Sequence, residues 1–273
     1  MRCTLVRPKA ASGYYAPVSR VRVYWWREQP NFGDAMNPVL LERLFGVTVE
    51  WAPLLEADLT ASGSVIQWIT PAVHNRPRPI RVWGSGFIHD LEAAPPLAEV
   101  AYHAIRGPRS RTLAGANPDT PLGDPGLLCP EAFGARPTTT HAIGVVPHLW
   151  DLGSLVLAEA VARSNALLID VRQDPEVVIS QIASCEHVFS SSLHGLIVAD
   201  SYDVATTWFT STELFGGTYK FDDYHASVGM TREPHVLSPG DDLVALASRW
   251  DGRRPNGLSD LRDELYAAFP TFD

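Results

Sequence analysis

The sequence predicts an α/β protein built from two Rossmann-like units that face each other across a cleft. Short β-branched segments alternate with segments of helical periodicity through most of the 273 residues, which is typical of parallel sheets with crossover helices. A stretch rich in proline and threonine at 130–141 interrupts this alternation, which then begins again. Polar turns follow several strands, and ligands bind at that edge of a parallel sheet.

In the first half, each expected strand is a short segment rich in valine, isoleucine or aromatic residues. Apolar residues at helical spacing follow some of the turns. The expected strands are 21–26, 47–51, 65–69, 80–83 and 100–105, and the expected helices are 39–45 and 110–114.

The second half repeats the pattern. Pro175 favours the start of a helix, because proline has no N–H to leave unpaired in a first turn. The expected strands are 142–146, 166–171, 187–189 and 205–209, and the expected helices are 158–162, 175–184, 193–198, 221–228 and 259–269.

The interruption predicts the domain organisation. We expect an N-terminal Rossmann-like domain at 20–135 and a C-terminal one at 141–250, with 251–273 as a closing helix. Residues 1–19 show no periodic pattern and are interpreted as a loose leader.

Composition limits the class of protein. A hydrophobic content of 45% and a charged content of 19% are enough for a packed core. A net charge of −9 argues against a nucleic-acid-binding protein, although it leaves room for a local basic pocket. Three widely spaced cysteines form neither a disulfide framework nor a metal pattern. Since no apolar segment suits a membrane span or a signal peptide, we expect a soluble cytoplasmic protein.

The densest polar turn contains Ser190, Ser191, Ser192 and His194, between an expected strand and an expected helix. Free N–H groups at a helix start favour an anion, and a histidine there is suited to proton transfer. The alternative is an ordinary helix cap, in which the histidine only hydrogen-bonds a carbonyl.

A second turn contains Asn31, Gly33, Asp34 and Asn37. Glycine lets the backbone approach a ligand, and the polar side chains are suited to bind one. A tight capped turn explains Gly33 and Asp34 equally well, but it explains the two asparagines less well.

Two further strand ends carry candidate residues. Ser85 stands between two glycines after the strand at 80–83, where tight packing is the usual alternative to ligand contact. Arg106 follows the strand at 100–105, and a guanidinium binds phosphate or carboxylate in a forked geometry. The alternative for Arg106 is a solvated basic turn. Asp124 is expected at the same edge.

Short motifs occur in order along roughly residues 20–235: Tyr24-Trp25-Trp26, Asn31-Phe32-Gly33-Asp34 with Asn37-Pro38, Gly84-Ser85-Gly86, Arg106-Gly107-Pro108 with Ser110, Gly123-Asp124-Pro125, Ile143-Gly144-Val145-Val146-Pro147-His148, Ser190-Ser191-Ser192-Leu193-His194-Gly195, and Lys220-Phe221 with Asp223. Together they resemble the polysaccharide pyruvyl transferase family, particularly its exopolysaccharide ketal-forming members. Several members carry an arginine where this sequence has Ser192.

The resemblance implies a glycosyltransferase-B-like fold, with the acceptor on the N-terminal side and the donor on the C-terminal side. It implies phosphoenolpyruvate as donor and two hydroxyls of one sugar as acceptor, giving a pyruvate ketal and phosphate in polysaccharide or glycolipid biosynthesis. A saccharide or lipid-linked saccharide would be the partner, which allows peripheral membrane association. No cofactor or metal is expected, since arginine and helix termini can carry the phosphate charge.

With that chemistry, His194 is the expected general acid and Arg106 the expected phosphate clamp. Asp34 or Asn31 would bind the sugar hydroxyls or act as base, and Lys220 would hold the carboxylate. The expected substrate-binding residues are Asn31, Gly33, Asn37, Ser85, Ser190, Ser191, Ser192 and Lys220.

Two other functions fit the same pattern. A nucleotide-sugar glycosyltransferase would share the architecture but needs a pocket for a nucleoside, and no carboxylate is clearly placed to bind ribose. A non-catalytic protein that binds a sugar phosphate would use the same turns without consuming its ligand.

Overall fold

The computed structural model describes residues 19–72, 76, 78–91, 99–211, 216–249, 255 and 257–272. Within them the chain forms two five-stranded sheets in which the strand pairs are parallel. The expected α/β class with two parallel sheets is confirmed.

The first sheet has the order β2-β1-β3-β4-β5. Its part of the chain contains β1 (Arg20–Tyr24), α1 (Phe32–Phe45), β2 (Thr48–Trp51), β3 (Leu59–Thr60), α2 (Ile66–Ala72), β4 (Ile80–Trp83), β5 (Val100–Ala104), α3 (Pro108–Leu113), a 3-10 helix (Pro125–Leu128) and α4 (Cys129–Phe133).

The second sheet has the order β10-β9-β8-β6-β7. Its part contains β6 (His141–Val146), a 3-10 helix (Leu149–Asp151), α5 (Leu155–Arg163), β7 (Leu167–Leu168), α6 (Pro175–Ala183), β8 (Cys185–Ser190), α7 (Leu193–Ser201), β9 (Ala205–Thr210), α8 (Tyr219–Ser227), β10 (His235–Val236), α9 (Leu243–Ala247) and α10 (Leu258–Ala267).

The two sheets have the same topology. Counted from the first strand of each half, both follow the doubly wound order 2-1-3-4-5. In that order the chain reverses its direction of winding beside the first strand, between β1 and β3 in one sheet and between β6 and β8 in the other. These two switch points are where a doubly wound sheet binds its ligand.

Helix α1 begins earlier than the sequence pattern predicts. We expected a helix at 39–45, but α1 starts at Phe32 because Asn31 caps it, its side chain accepting from Gly33 N at 3.2 Å. Pro38 lies inside the helix without ending it. Its missing N–H would have bonded the Asp34 carbonyl, which instead accepts from Asn37 Nδ2 at 2.9 Å.

One expected strand is wrong. Residues 65–69 lie in and just before α2, because a short apolar segment fits a buried helix as well as a strand. The strand at this position in the sheet is β3, only two residues long, and its length gives no periodic signal.

One large apolar cluster contains buried side chains of both halves and forms a core that they share. It includes side chains of α1, α6, α7 and α10. Phe32 N donates to Val171 O at 2.8 Å, so the start of α1 is bonded to the second half. Helix α10 returns to the first half, where Trp83 Nε1 donates to Leu265 O at 2.8 Å. The domain limits themselves stay a prediction.

Candidate active site

A cleft of about 310 Å³ lies where the two switch points meet, at the low end of the roughly 300–1,000 Å³ of ligand pockets. The loops after β1 and β3 form one wall, and those after β6 and β8 form the other. The cleft is lined by Trp26, Gln29, Asn31, Asp34, Gly63, Ser64, Val65, Trp68, Ile88, His148, Leu149, Trp150, Ser192, Leu193, His194 and Lys220.

His194 lies in the first turn of α7 and is buried apart from its contact with the cleft. Its Nε2 faces Asp124 Oδ2 at 3.7 Å, which is an ion-pair distance but too long for a hydrogen bond. Neither of these two atoms has a hydrogen-bond partner among the described residues. The other ring nitrogen, Nδ1, lies against Gly33 of α1.

The partner of His194 is a buried carboxylate. Asp124 Oδ1 accepts from Ser62 Oγ at 2.8 Å and from Gly126 N at 2.9 Å, so its orientation is fixed. Burial, the largest single influence, raises the pKa of Asp124, but the facing His194 and these donors outweigh it and leave the pKa below its ordinary value. A carboxylate held this way is positioned to orient the facing imidazole.

Gly33 lets the two walls of the cleft approach each other. A Cβ at this position would lie 2.1 Å from His194 Nδ1 and 2.5 Å from its Cγ. Only a residue without a side chain therefore fits between α1 and the His194 ring. Gly33 was predicted to let the backbone approach a ligand; in the structure the His194 ring takes that space, and Gly33 is not among the residues that line the cleft.

Asp34 faces the same cleft from the first turn of α1. Burial raises the pKa of its carboxyl to about 6, and the nearby His194 and Lys220 partly oppose that rise. Asn31 Nδ2 donates to Asp34 Oδ2 at 3.0 Å. A carboxylate with this pKa can accept a proton near neutral pH.

Lys220 lies in the first turn of α8 and lines the cleft. It is 9% exposed, and burial lowers the pKa of its ammonium to about 8; the neighbouring Arg106 lowers it further and Asp34 partly opposes this. It is still mostly cationic at neutral pH and is positioned to attract an anion.

His148 is a cleft residue that was not among the predicted site residues. Ser191 Oγ accepts from His148 N at 2.8 Å and donates to Asp151 Oδ2 at 2.6 Å, which fixes the loop after β6. Burial, together with Lys220, lowers the pKa of His148 to about 4, so its ring is neutral at physiological pH. The motif around His148 was a signal for it.

The structure does not place Arg106 on the surface of the cleft. Its guanidinium is fully buried and pairs with Asp223, with Nη2 3.0 Å from Oδ2. Nη2 also donates to Phe87 O at 2.6 Å and Nη1 to Ser64 Oγ at 2.7 Å. The prediction that Arg106 binds phosphate directly is therefore wrong. Its guanidinium bonds to groups inside the protein, and of these Ser64 lines the cleft.

Four of the predicted substrate-binding residues use their side chains for hydrogen bonds within the protein. Ser85 Oγ donates to Ala61 O at 2.5 Å, and Ser190 Oγ to Val146 O at 2.9 Å. Asn37 bonds the backbone of Ser62 and Ser191 the carboxylate of Asp151. They hold the turns in shape, whereas Asn31, Asp34, Ser192, His194 and Lys220 meet in the cleft.

Comparisons with known proteins agree with the motifs. Residues 72–213, more than half of the chain, match the family model described as polysaccharide pyruvyl transferase. The succinoglycan biosynthesis protein ExoV of Rhizobium meliloti is 29% identical over 83% of this chain and 72% of its own length.

Two more similarities are weaker. An uncharacterized protein of Acanthamoeba polyphaga mimivirus is 36% identical over 42% of each chain. The wall teichoic acid polymerase TagF superposes with a TM-score of 0.40 at 9% identity, covering 93% of this chain and 83% of its own, a level that indicates nothing about function. The family match and the order of the motifs together show that the chain belongs to the polysaccharide pyruvyl transferase family and is an enzyme of pyruvyl transfer in polysaccharide biosynthesis.

Proposed function

We propose that the enzyme transfers the enolpyruvyl group of phosphoenolpyruvate to two hydroxyls of one sugar residue, forming a pyruvate ketal and releasing phosphate. The observation that carries the proposal is the meeting of His194, Asp34 and Lys220 in one cleft, at the switch points of both sheets. An acid, a base and a cation are the three functions that this reaction requires.

The chemistry begins with a proton. Protonation turns the methylene carbon of phosphoenolpyruvate into a methyl group and leaves the central carbon electron-poor, so one sugar hydroxyl adds to it. The bond from that carbon to the phosphate oxygen then breaks, and the second hydroxyl adds. Of the two hydroxyl protons, one replaces the proton given to the methylene and the other leaves with phosphate.

His194 is the proposed acid, because its ring lines the cleft while its Nε2 faces Asp124 Oδ2 at 3.7 Å. Asp124 acts through His194 and is a positioning residue. The arrangement has the logic of a histidine oriented by a buried aspartate, in which the carboxylate stabilises the imidazolium.

Lys220 is the proposed cation for the donor, with the start of α7 beside it. The first N–H groups of a helix have no intrahelical partner, and Ser192 caps α7 without a side-chain hydrogen bond. Several family members carry arginine at the Ser192 position. We assign to Lys220 the function of holding the donor's negative charge in this enzyme. Arg106 supports the cleft from behind, through Ser64.

Asp34 is the proposed base. Its carboxylate lies on the wall formed by the first sheet, and its raised pKa of about 6 suits proton transfer from a hydroxyl. Asn31 holds one of its oxygens and leaves the other for the acceptor. Cytoplasmic location and a mechanism without a metal stay predictions. No helix in the described ranges is long and apolar enough to cross a membrane.

The test is an assay with the full chain, phosphoenolpyruvate and a panel of saccharides, followed by phosphate release and by the mass of the acceptor. We expect phosphate release that depends on the acceptor, in equal amounts with a product bearing a pyruvate ketal. Transfer of a glycosyl group from a parallel nucleotide-sugar panel, with phosphoenolpyruvate left intact, would assign the enzyme to glycosyl transfer instead.

A further inference from the structure

Two indole rings, packed against each other, leave part of their apolar surface exposed inside the cleft. The rings of Trp26 and Trp68 are stacked with centroids 6.1 Å apart and planes at 25°. They remain 40% and 38% exposed, although both line the cleft. Exposed aromatic surface of this size inside a cleft marks a binding site, because water leaves it readily when a ligand covers it.

The position of the two rings places them on the proposed acceptor side. Trp26 follows β1, and Trp68 lies in α2, which follows β3. The two residues therefore come after the two strands that flank the first switch point. Asn31 and Asp34 belong to the same wall. A group bound on the indoles is therefore adjacent to the proposed base.

The chemistry of this surface fits a sugar ring. One face of a hexopyranose presents C–H groups with a small positive partial charge, and the face of an indole carries the negative part of its quadrupole. Polar side chains at the edge, Gln29 and Asn31, offer amide donors and acceptors to hydroxyls.

Charge selects among sugars. Of the described residues that line the cleft, Lys220 alone is a lysine or an arginine. Its charge is influenced by Arg106, buried behind the cleft, and by Asp34, and it acts in turn on His148. Among the described residues that line the cleft, the indole wall carries the carboxylate of Asp34 and neither a lysine nor an arginine. A carboxylate on the acceptor would meet repulsion there, so the site favours a neutral ring.

A third indole extends the surface across the cleft. Trp150 is 53% exposed and lies beside His148, with ring centroids 5.2 Å apart, on the wall formed by the second sheet. A saccharide longer than one residue would contact both walls.

Resting on the proposed function, we propose that Trp26 and Trp68 form an acceptor platform that binds the apolar face of a neutral hexopyranose, while Trp150 contacts the adjoining residue of the same oligosaccharide. The platform sets acceptor specificity and takes no part in holding phosphoenolpyruvate.

The test compares Trp26→Ala, Trp68→Ala and Trp26→Phe with Tyr266→Ala. Tyr266 is an aromatic control of equal exposure, 39%, outside the cleft. Calorimetry would measure binding of a neutral hexose trisaccharide, and of its uronic-acid counterpart, without phosphoenolpyruvate; a second experiment would measure KM for acceptor and donor.

We expect each alanine variant to weaken binding of the neutral trisaccharide about tenfold, with Trp26→Phe between alanine and wild type. In the alanine variants, KM for phosphoenolpyruvate should stay within about twofold of the wild-type value. In the control variant Tyr266→Ala, saccharide binding should also stay within about twofold of wild type. The uronic-acid saccharide should bind the wild type more weakly than the neutral one.

Neutral-saccharide binding unchanged in both alanine variants would overturn the platform, as would equal binding of the uronic acid or no saccharide binding to the wild type. The two proposals fail separately. If the alanine variants lose saccharide binding but no acceptor yields phosphate from phosphoenolpyruvate, the platform stands and the donor assignment falls. If both alanine variants transfer pyruvate with an unchanged KM for the acceptor, the platform proposal is wrong and the proposed transfer reaction is retained.

Discussion

At the residue scale, the cleft places a carboxylate and an ammonium group in environments that move their pKa values toward each other. Burial raises the pKa of Asp34 to about 6 and lowers that of Lys220 to about 8. Between these values Asp34 is an ionised base and Lys220 a cation. Displaced pKa values in a shared cleft are typical of functional sites.

The pH dependence of kcat/KM should therefore be bell-shaped. Activity should rise as Asp34 loses its proton near pH 6 and fall as Lys220 loses its own near pH 8. In Lys220→Arg the basic limb should move to higher pH, because arginine stays protonated in proteins. A basic limb that stays at the same pH in Lys220→Arg would show that another group, and not Lys220, sets this limb.

Asp34 should also lower stability. Between pH 4 and 6 the folded protein binds the Asp34 proton more tightly than the unfolded chain, so the free energy of unfolding falls as pH rises through that window. The penalty is complete above pH 6. We expect Asp34→Asn to stabilise the protein at pH 8 by on the order of 1–3 kcal/mol, and hardly at all near pH 4.

Urea unfolding at the two pH values would measure this difference, and transfer activity should be lost in the same variant. Equal stability of wild type and Asp34→Asn at pH 8 would show that the carboxylate is well solvated.

Sequence motifs predicted His194, Asp34 and Lys220, and the structure brings all three to one cleft; their roles stay predictions. The ion pair of His194 with Asp124 was not, since the two residues are 70 positions apart and no periodic pattern links them. Arg106 was misjudged for the same reason, because its partner Asp223 is 117 positions away.

At the element scale, the site depends on the close approach of α1 and α7. Gly33 leaves the room that the His194 ring occupies. The sequence predicted a glycine turn here, with a capped turn as the alternative, but it placed the helix only from residue 39. The hydrogen bond from Asn37 that replaces the one lost at Pro38 was not recognisable without the fold.

Gly33→Ala should move His194 and lower kcat about a hundredfold or more, because its Cβ would lie 2.1 Å from Nδ1. The matched control is Gly153→Ala, whose Cβ would meet no atom within 4 Å. Steady-state kinetics of both variants would check this. Wild-type turnover in Gly33→Ala would mean that the ring moves without consequence.

At the scale of the whole molecule, the repeated 2-1-3-4-5 order brings two switch points to one cleft. The α/β class and the pair of sheets were predictable, since alternating periodicity and strand-end turns are local signals. The return of α10 to the first half was not, because it depends on contacts such as that of Trp83 with Leu265, 182 residues apart.

Leu265→Ala should lower the free energy of unfolding by about 2–5 kcal/mol, because its side chain is fully buried in the shared core. Urea unfolding should show one transition at lower urea. Leu155→Ala is the control, since that side chain is 86% exposed. Two separate transitions, with the first half unaffected, would contradict a shared core.

Phosphate release by His194→Ala, measured with phosphoenolpyruvate and an acceptor, tests the central claim most directly. Because removal of a general acid typically slows a reaction about 100- to 10,000-fold, we expect a loss of that order with folding and donor binding intact. A folded His194→Ala protein that releases phosphate at the wild-type rate would contradict the assignment.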